Sequence, residues 1–286
     1  MHQPVMAQRI IDLLRHCPKP HHILDATFGR GGHSKALLDA LPTCTINAID
    51  RDPEAVAYAH TEMTEYGDRF SIVHTRFSLA ESMFEPGTFS AVLLDVGVSS
   101  PQLDNGQRGF SIQKPGPLDM RMNPLGGQSA ADIVNSMTEK ELANIIFTYG
   151  EERNSRRIAK YIVETRRKEK IETTEQLAAI VLRATPHRSK IHPATKTFQA
   201  LRIVVNNELD ELRTFLSTAH TLVKPGGMLC TLCFHSLEDR IAKHFFKQSH
   251  HFSCPDKKPT MTERSERLVN PRARSARLRF GIKNNE

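Results

Sequence analysis

Short apolar runs and amphipathic segments alternate along the first hundred residues. The apolar runs lie at 23–25, 45–50, 70–74 and 89–95, and amphipathic helical spacing begins at Ser34 after the first run. The run at 89–95 is almost wholly apolar, as is typical of a strand buried on both faces of a parallel sheet. The alternation therefore predicts parallel strands connected by helices.

The middle of the chain carries a different pattern. Residues 102–127 are rich in Gly and Pro and predict a loop, and helical periodicity follows without strand signals. Predicted helices begin at the capping boxes Thr138-x-x-Glu141 and Thr173-x-x-Gln176, include the apolar face of Ile158 and Ile162, and run from Thr197 to about Val223. Strand patterns return only later in the sequence, so these helices are interpreted as an insert.

The last part of the chain returns to the alternating pattern. Lys224-Pro225-Gly226-Gly227 is expected to end the long helix, a fifth buried strand follows at 228–234, a helix at 237–248, and an edge strand at 277–282. The predicted fold class is α/β, a doubly wound Rossmann-like sheet with an inserted all-helical domain. The expected domains are 1–105 with 206–286, and 106–205.

A glycine-rich loop follows the first strand. Asp25 ends that strand, and Gly29, Gly31 and Gly32 come directly before the first helix. This arrangement is typical of nucleotide-like ligands, but the spacing fits neither the dinucleotide fingerprint nor a P-loop. Asp25 would repel a pyrophosphate, whereas it suits a ligand with an amino group, such as S-adenosylmethionine.

Two further acids end predicted strands. Asp50 ends the second strand and suits ribose hydroxyls, and Asp95 ends the fourth. Each acid alone could be a helix cap or a turn residue. Three acids at the carboxyl ends of parallel strands instead favour a ligand site at that edge of the sheet.

Motifs in a fixed order connect these features to a known family. They are His2-x-Pro4-Val5, Thr27-Phe28-Gly29-Arg30-Gly31-Gly32-His33-Ser34, Leu94-Asp95-Val96-Gly97-Val98-Ser99-Ser100-Pro101-Gln102, Gly116-Pro117-Leu118-Asp119-Met120-Arg121, His192-Pro193-Ala194-Thr195, Phe234-His235-Ser236-Leu237-Glu238-Asp239-Arg240 and Asn270-Pro271-Arg272-Ala273-Arg274. With them the chain resembles the bacterial small-subunit ribosomal RNA methyltransferase H family, also called MraW. Arg9 stands where that family usually has an acid.

The resemblance implies a methyltransferase sheet and an S-adenosylmethionine-dependent enzyme that methylates the N4 amine of a cytidine in the ribosomal decoding region. It places the cofactor near Gly31, Gly32, His33, Asp50, Phe77, Asp95 and Gln102. The cytosine amine is a poor nucleophile, so the site should position it and accept its hydrogen bonds. The catalytic acceptor stays open between Asp95 and the turn at Ser99 and Ser100.

Positive charge is concentrated in two parts of the chain. The net charge is +7, and Lys and Arg cluster at 153–170 and 257–286. Clustered positive charge is the footprint of a polyanion, although it also occurs on ordinary solvated faces. The expected partner is ribosomal RNA or the small ribosomal subunit. Candidate RNA contacts are Arg108, Arg121, Arg153, Arg156, Arg157, Lys160, Arg272, Arg274 and Arg277.

Composition limits the expected cellular location and the kinds of bound group. No apolar run approaches the roughly 20 residues of a membrane helix, and the five cysteines lack framework spacing, so a cytoplasmic protein is expected. Cys230 and Cys233 fall on one predicted strand and point to opposite faces, which favours a core role. His250, His251 and Cys254 lack an evident fourth ligand, so no metal is expected. A homodimer is left open.

Two other classes of function compete with this interpretation. A nicotinamide-dependent oxidoreductase should carry the dinucleotide fingerprint, which is absent. A catalytically inactive RNA-binding protein on the same scaffold would not need Gly31, Gly32, Asp50 and Asp95, all of which are present.

Overall fold

The computed structural model describes residues 4–185 and 192–285. The chain forms two compact units, Met1–Gly97 with Leu209–Glu286, and Val98–Glu208. The expected domain boundaries after 105 and 205 lie a few residues away from these divisions and stay a prediction of domain organisation.

The helices and strands are as follows. The helices are α1 (Ala7–Leu14), α2 (Gly32–Ala40), α3 (Pro53–Glu62), α4 (Ser100–Asp104), α5 (Ala130–Ser136), α6 (Glu139–Gly150), α7 (Ser155–Arg166), α8 (Thr174–Ala184), α9 (Thr195–Asn206), α10 (Glu208–Leu222), α11 (Ser236–Gln248) and α12 (Arg264–Val269). The strands are β1 (His22–Asp25), β2 (Thr45–Asp50), β3 (Phe70–His74), β4 (Phe89–Asp95), β5 (Val223–Cys233), β6 (Phe252–Ser253), β7 (Thr260–Met261) and β8 (Arg277–Lys283).

One sheet organises the first unit. Its strand order is β3-β2-β1-β4-β5-β8-β6, with β7 also paired to β8. Strands β1 to β5 are all parallel to one another, and β8 pairs with β5 in the antiparallel direction. The chain proceeds outward from β1 in one direction through β2 and from β4 in the other. The carboxyl ends of β1 and β4 therefore mark the topological switch point, where open α/β sheets bind ligands.

Both faces of this sheet are covered, because neighbouring residues of a strand point to opposite sides. Ile23 of β1 packs in an apolar cluster with α1, α2 and α3, while Leu24 packs in another with α10 and α11. The doubly wound fold is thus confirmed. Cys230 and Cys233 fall in these two separate clusters, and burial raises the pKa of both thiols, which confirms their core role.

The second unit is built from helices. Apolar residues of α5 to α9 form one buried cluster. The predicted capping boxes are present: the Thr138 amide donates to Glu141 Oε2 at 2.8 Å, and the Thr173 amide donates to Gln176 Oε1 at 3.0 Å. Asp, Glu and Gln three residues after a Ser or Thr cap satisfy amides that the first helical turn leaves unpaired.

Three predictions about elements were wrong. The long helix from Thr197 is two helices, because Asn207 has a left-handed backbone (φ 51°) that an α-helix cannot contain. Lys224-Pro225-Gly226-Gly227 lies inside β5, where the pairing with β4 shifts register between Phe89 and Ala91. The strand at 277–282 is not an edge, since β6 and β7 pair with β8 on its far side.

Four helices, α1, α4, α5 and α12, were absent from the sequence predictions. α1 precedes the sheet and buries Ile10, Ile11 and Leu14, and α5 follows the Gly- and Pro-rich stretch. Within the described residues, no helix is both long enough and apolar enough to cross a membrane.

Candidate cofactor and methyl-acceptor site

The glycine-rich loop joins β1 to α2 in a tight turn. Gly31 is the residue before the helix and has a φ of +67°, and a Cβ atom there would lie 2.6 Å from the Phe28 ring. Its amide donates to the Phe28 carbonyl at 2.8 Å. The positive φ and the short distance from a Cβ atom to the Phe28 ring both require glycine at this position. The turn leaves the amino end of α2 at the switch point.

The amino-terminal segment packs on this loop. Gly32 is the first residue of α2, and a Cβ atom on it would lie 3.1 Å from the Pro4 Cβ. The neighbouring Val5 carbonyl is 2.9 Å from His33 Nε2. The absence of a side chain at Gly32 therefore allows Pro4 to pack closely against α2.

Asp25 lies beneath the loop. It is buried, its Oδ2 accepts from the Ser34 hydroxyl at 2.6 Å, and its Oδ1 accepts from the Thr27 amide at 3.2 Å. Burial raises the pKa of this carboxyl, while the Ser34 bond and His33 lower it. Both oxygens thus hold the turn in shape, and this contact pattern matches the turn-residue alternative for Asp25.

Asp50 connects the end of β2 to the same loop. Its Oδ2 accepts from the Gly29 amide at 2.7 Å and its Oδ1 from the Asp52 amide at 2.8 Å. Burial raises the pKa of Asp50 to about 6, against the lowering effect of these two amides. A carboxylate oxygen can accept two hydrogen bonds, so both oxygens keep capacity for ligand hydroxyls.

Asp95 is fixed at the end of β4. Its amide donates to Thr27 Oγ1 at 2.6 Å, and its Oδ2 lies 3.4 Å from His33 Nδ1. Burial raises the pKa of Asp95 to about 6; His33 lowers it, and Asp25 and Glu238 raise it further. Among the described residues, Asp95 Oδ1 is buried and has no hydrogen-bond partner.

The His33 ring has one assignable tautomer. A carbonyl only accepts hydrogen bonds, so the Nε2 facing Val5 must carry a proton. Neutral His33 then presents a lone pair from Nδ1 toward Asp95. The contact between the two groups is attractive only when a further proton lies on the imidazole or on the carboxyl.

Phe77 follows β3 and is partly buried. Its ring packs edge-to-face on Phe215 of α10, with centroids 5.6 Å apart. The preceding Arg76 donates to Glu211 of the same helix at 2.8 Å. These contacts fix the position of Phe77 after β3, and β3 is the strand that pairs with β2, which ends at Asp50.

The remaining cofactor and acceptor candidates lie in the second unit. Ser99 precedes α4, Ser100 begins it, and Gln102 is buried within it. The Ser99 amide donates to Gln102 Oε1 at 3.0 Å, so these two residues form the amino-terminal cap of α4. The structure brings Asp25, Gly29, Gly31, His33, Asp50 and Asp95 together in the first unit.

The candidate RNA contacts fall into two groups. Four of them are exposed around α7: Arg153, Arg156, Arg157 and Lys160. Arg156, Arg157 and Lys160 are spaced by three or four residues from Lys160 within α7, which puts them on one helix face, and Arg153 lies just before the helix. The opposite face is buried through Ile158 and Ile162.

Other basic candidates are already engaged. Arg108 is buried and donates from Nη2 to the carbonyls of Arg121 and Met122, so it holds a loop in shape, and its contribution to RNA binding stays a prediction. Arg121 forms a two-bond pair with Asp119, and Arg277 donates to Asp239 at 2.8 Å. Arg274 is exposed and Arg272 partly so.

Sequence reasoning missed several residues of this site. Thr27 orients Asp95, Val5 fixes the His33 tautomer, and buried Glu238 accepts the Phe234 and His235 amides at 2.8 and 3.1 Å after β5. All three residues lie within the motifs that carry the family resemblance, and this was the signal in the sequence that could have marked them as site residues. The contacts of Thr27 and Val5 join chain segments 68 and 28 positions apart, whereas the two contacts of Glu238 are local.

Comparison with known proteins identifies the family to which the sequence is similar. Residues 1–284 match the family model described as the MraW methylase family. The chain is 48% identical over 260 residues to "Ribosomal RNA small subunit methyltransferase H" of Synechococcus elongatus, covering 90% of this chain and 86% of that protein. It is 44% identical over 288 residues to the protein of the same name from Trichormus variabilis, covering 100% and 92%.

Among solved structures, the chain also matches an rRNA methylase from Streptococcus thermophilus. Its TM-score is 0.43 at 9% identity, and the match covers 100% of this chain and 99% of that one.

Proposed function

This chain belongs to the MraW methylase family, and we propose that it transfers a methyl group from S-adenosylmethionine to the N4 amine of a cytidine in the decoding region of small-subunit ribosomal RNA. Two observations support the proposal: the relatives share its full length, and Asp95 offers a buried oxygen without a partner at the switch point of the sheet.

The residues present fit the cofactor. A side chain at Gly31 would meet the Phe28 ring, Asp50 can accept ribose hydroxyls, and the acidic edge suits a ligand with cationic groups. When bound, S-adenosylmethionine supplies an electrophilic methyl group on a sulfonium. Gly31, Gly32, His33, Asp50, Phe77 and Asp95, all residues of the first unit, would hold it.

Asp95 is the acceptor that the geometry favours for the cytosine amine. An amine with a delocalised lone pair becomes nucleophilic when an acceptor takes its hydrogen bond and localises the pair on nitrogen. The Asp95 Oδ1 atom has no competing donor within the described residues, and Thr27 and His33 hold the rest of the group. Ser99 and Ser100 stay secondary candidates for the same role.

A strong general base is not required by this arrangement. The methylated amine is acidic enough to lose its proton after transfer, and the Asp95–His33 pair can receive it, since this contact needs one further proton to be attractive. The site therefore works mainly by placement and by accepting hydrogen bonds.

The substrate-binding part of the proposal rests on charge. In the second unit, the exposed face of α7 with Arg156, Arg157 and Lys160, together with Arg153 just before the helix, is proposed to bind phosphates of the RNA. In the first unit, Arg272 and Arg274 are proposed as separate phosphate contacts. A cytoplasmic location, with free ribosomal RNA or assembling small subunits as substrate, belongs to this proposal.

The decisive experiment is nucleoside mass spectrometry of small-subunit ribosomal RNA. RNA from cells lacking this chain should have lost one N4-methyl group on cytidine, and the wild-type chain should restore it. Asp95→Ala should not restore it, whereas Asp68→Ala, which changes an exposed acid, should. Unchanged methylation in the deletion strain would refute the activity and favour the inactive RNA-binding alternative.

A further inference from the structure

The most exposed large aliphatic side chains of the first unit stand next to each other. Leu268 is 72% exposed and Val269 is 85% exposed, and both lie at the carboxyl end of α12. A single exposed apolar residue needs no explanation. Two neighbours at the end of a helix form an apolar tip, which contributes little hydrophobic stabilisation to the fold because it stays in water.

The apolar tip stands on an ordered base. Thr262 Oγ1 donates to the Ala273 carbonyl at 2.8 Å, and Ala273 is fully buried. The Asn270 amide donates to the Glu266 carbonyl at 2.7 Å, and Asn270 Oδ1 accepts from the Arg272 amide at 3.1 Å. Both sides of the tip are thus fixed, so it is presented at a defined place.

The surroundings of the apolar tip are basic. Arg264 and Arg267 share its helix, and Arg272 and Arg274 follow within a few residues. The acid Glu266 is turned inward and accepts the Met6 amide at 2.8 Å. An aliphatic tip framed by arginines matches nucleic acid, which combines apolar base faces with an anionic backbone, better than it matches an apolar groove on a protein.

Helix α12 is also connected to the candidate cofactor site. Glu266 binds Met6, the adjacent Val5 binds His33, and His33 contacts Asp95. All these contacts lie within the first unit. The apolar tip is therefore carried by an element that packs, through the amino-terminal segment, on the loop proposed to hold the methyl donor.

We propose that Leu268 and Val269 insert against unstacked bases of the RNA next to the target cytidine, while Arg264 and Arg267 bind the flanking phosphates. This inference rests on the proposed function. A base must leave its stack to reach a recessed methyl donor, and apolar side chains that fill the opened step stabilise that state.

A photocrosslinking experiment tests the partner. The full-length protein with p-benzoylphenylalanine in place of Val269 is irradiated on small ribosomal subunits, and the attached molecules are identified. Crosslinks to ribosomal RNA near the methylated nucleotide are the expected result. Crosslinks to ribosomal proteins alone, or no crosslinks, would overturn the proposal.

A substitution experiment tests the role in methylation. The double variant Leu268→Ser with Val269→Ser should keep wild-type thermal stability, S-adenosylmethionine affinity and salt dependence of RNA binding, because both side chains are exposed and uncharged. Its kcat/KM for methyl transfer should fall about tenfold or more, since no apolar side chain then occupies the space between the unstacked bases. Leu268→Met with Val269→Ile should retain most activity.

The control is Met83→Ser, which removes another exposed apolar side chain of the same unit. It should leave kcat/KM unchanged. An unchanged kcat/KM in the double serine variant would contradict the proposal. If the wild-type protein itself transfers no methyl group, the proposed function fails, and the crosslinks still decide whether the apolar tip contacts RNA.

Discussion

At the scale of single residues, Asp95 shows how a proposed functional site costs stability. Its carboxyl is partly buried, with Asp25 and Glu238 nearby, and its pKa rises from the ordinary 3.8 to about 6. The folded protein therefore binds this proton more tightly than the unfolded chain. The resulting stabilisation is complete below pH 4 and is lost as the pH rises through about 6.

The substitution Asp95→Asn should thus stabilise the protein without cofactor at pH 8 by about 1–3 kcal/mol, because it removes a buried charge while keeping the shape. The gain should shrink to nothing near pH 4. Thermal unfolding at both pH values checks this, with Asp68→Asn as an exposed control. A variant less stable than wild type at pH 8 would mean that the pair with His33 outweighs burial.

Asp50 supports the loop and, in our proposal, the ribose. Because its two oxygens accept the Gly29 and Asp52 amides, Asp50→Ala removes both loop support and ligand acceptor. Calorimetric titration should show S-adenosylmethionine binding weakened by about 1–3 kcal/mol, as for a lost hydrogen bond to a charged group. Asp68→Ala should bind normally, and normal binding by Asp50→Ala would exclude this ribose contact.

The sequence could predict the acids but not their partners. Asp25, Asp50 and Asp95 follow apolar runs, and the carboxyl ends of parallel strands meet at one edge, so their proximity is a local inference. Thr27 and Val5 contact Asp95 and His33 across 68 and 28 positions of sequence. No periodicity reports such contacts, because only the three-dimensional arrangement of the segments creates them.

At the scale of elements, the break between α9 and α10 escaped detection because apolar spacing continues through it. Asn207 adopts a left-handed backbone and its amide donates to the Val204 carbonyl at 3.2 Å, which ends α9. Asn and Gly tolerate this conformation best.

The expected order of stability at this position follows from the backbone. Asn207→Gly should be close to neutral, and Asn207→Val should destabilise by about 1–2 kcal/mol, since a β-branched residue is strained at φ 51°. Chemical denaturation of the two variants provides the measurement. Equal stability of the valine variant and wild type would show that the two helices can merge into the single one expected from sequence.

The basic face of α7 is the element on which the RNA proposal depends most. Reversing Arg156→Glu with Arg157→Glu should weaken RNA binding and reduce its salt slope by about two units, one for each lost phosphate contact. Cofactor affinity should be unchanged. Filter binding over a range of salt concentrations measures the slope.

The matched control reverses two exposed lysines elsewhere, Lys243→Glu with Lys247→Glu on α11. It changes net charge equally, so a generic charge effect would lower affinity in both proteins. A normal slope in the α7 variant would identify its face as ordinary solvated surface.

At the scale of the whole molecule, the doubly wound sheet was predictable from the sequence pattern, whereas its far edge was not. Parallel strands with intervening helices admit few right-handed arrangements, so β1 to β5 were predictable as a doubly wound sheet. The two-residue strands β6 and β7 are too short to show any periodicity. Their pairing with β8 could come only from the structure.

The last prediction concerns which ligand stabilises the folded chain. The glycine-rich loop and the three acids lie in a unit formed by two distant parts of the sequence, Met1–Gly97 and Leu209–Glu286. A ligand bound there should resist separation of these parts. At a hundredfold excess over Kd, S-adenosylmethionine should stabilise the protein by about 2.7 kcal/mol, and S-adenosylhomocysteine should stabilise it similarly in proportion to its own affinity.

A nicotinamide dinucleotide should have no such effect, because Asp25 disfavours a pyrophosphate and the glycine spacing differs from the dinucleotide fingerprint. Differential scanning calorimetry with each ligand gives the comparison, and hydrogen exchange should show new protection at 27–34, 50 and 95. Stabilisation by the dinucleotide and not by S-adenosylmethionine would assign the acidic edge to hydride transfer and overturn the methyltransferase proposal.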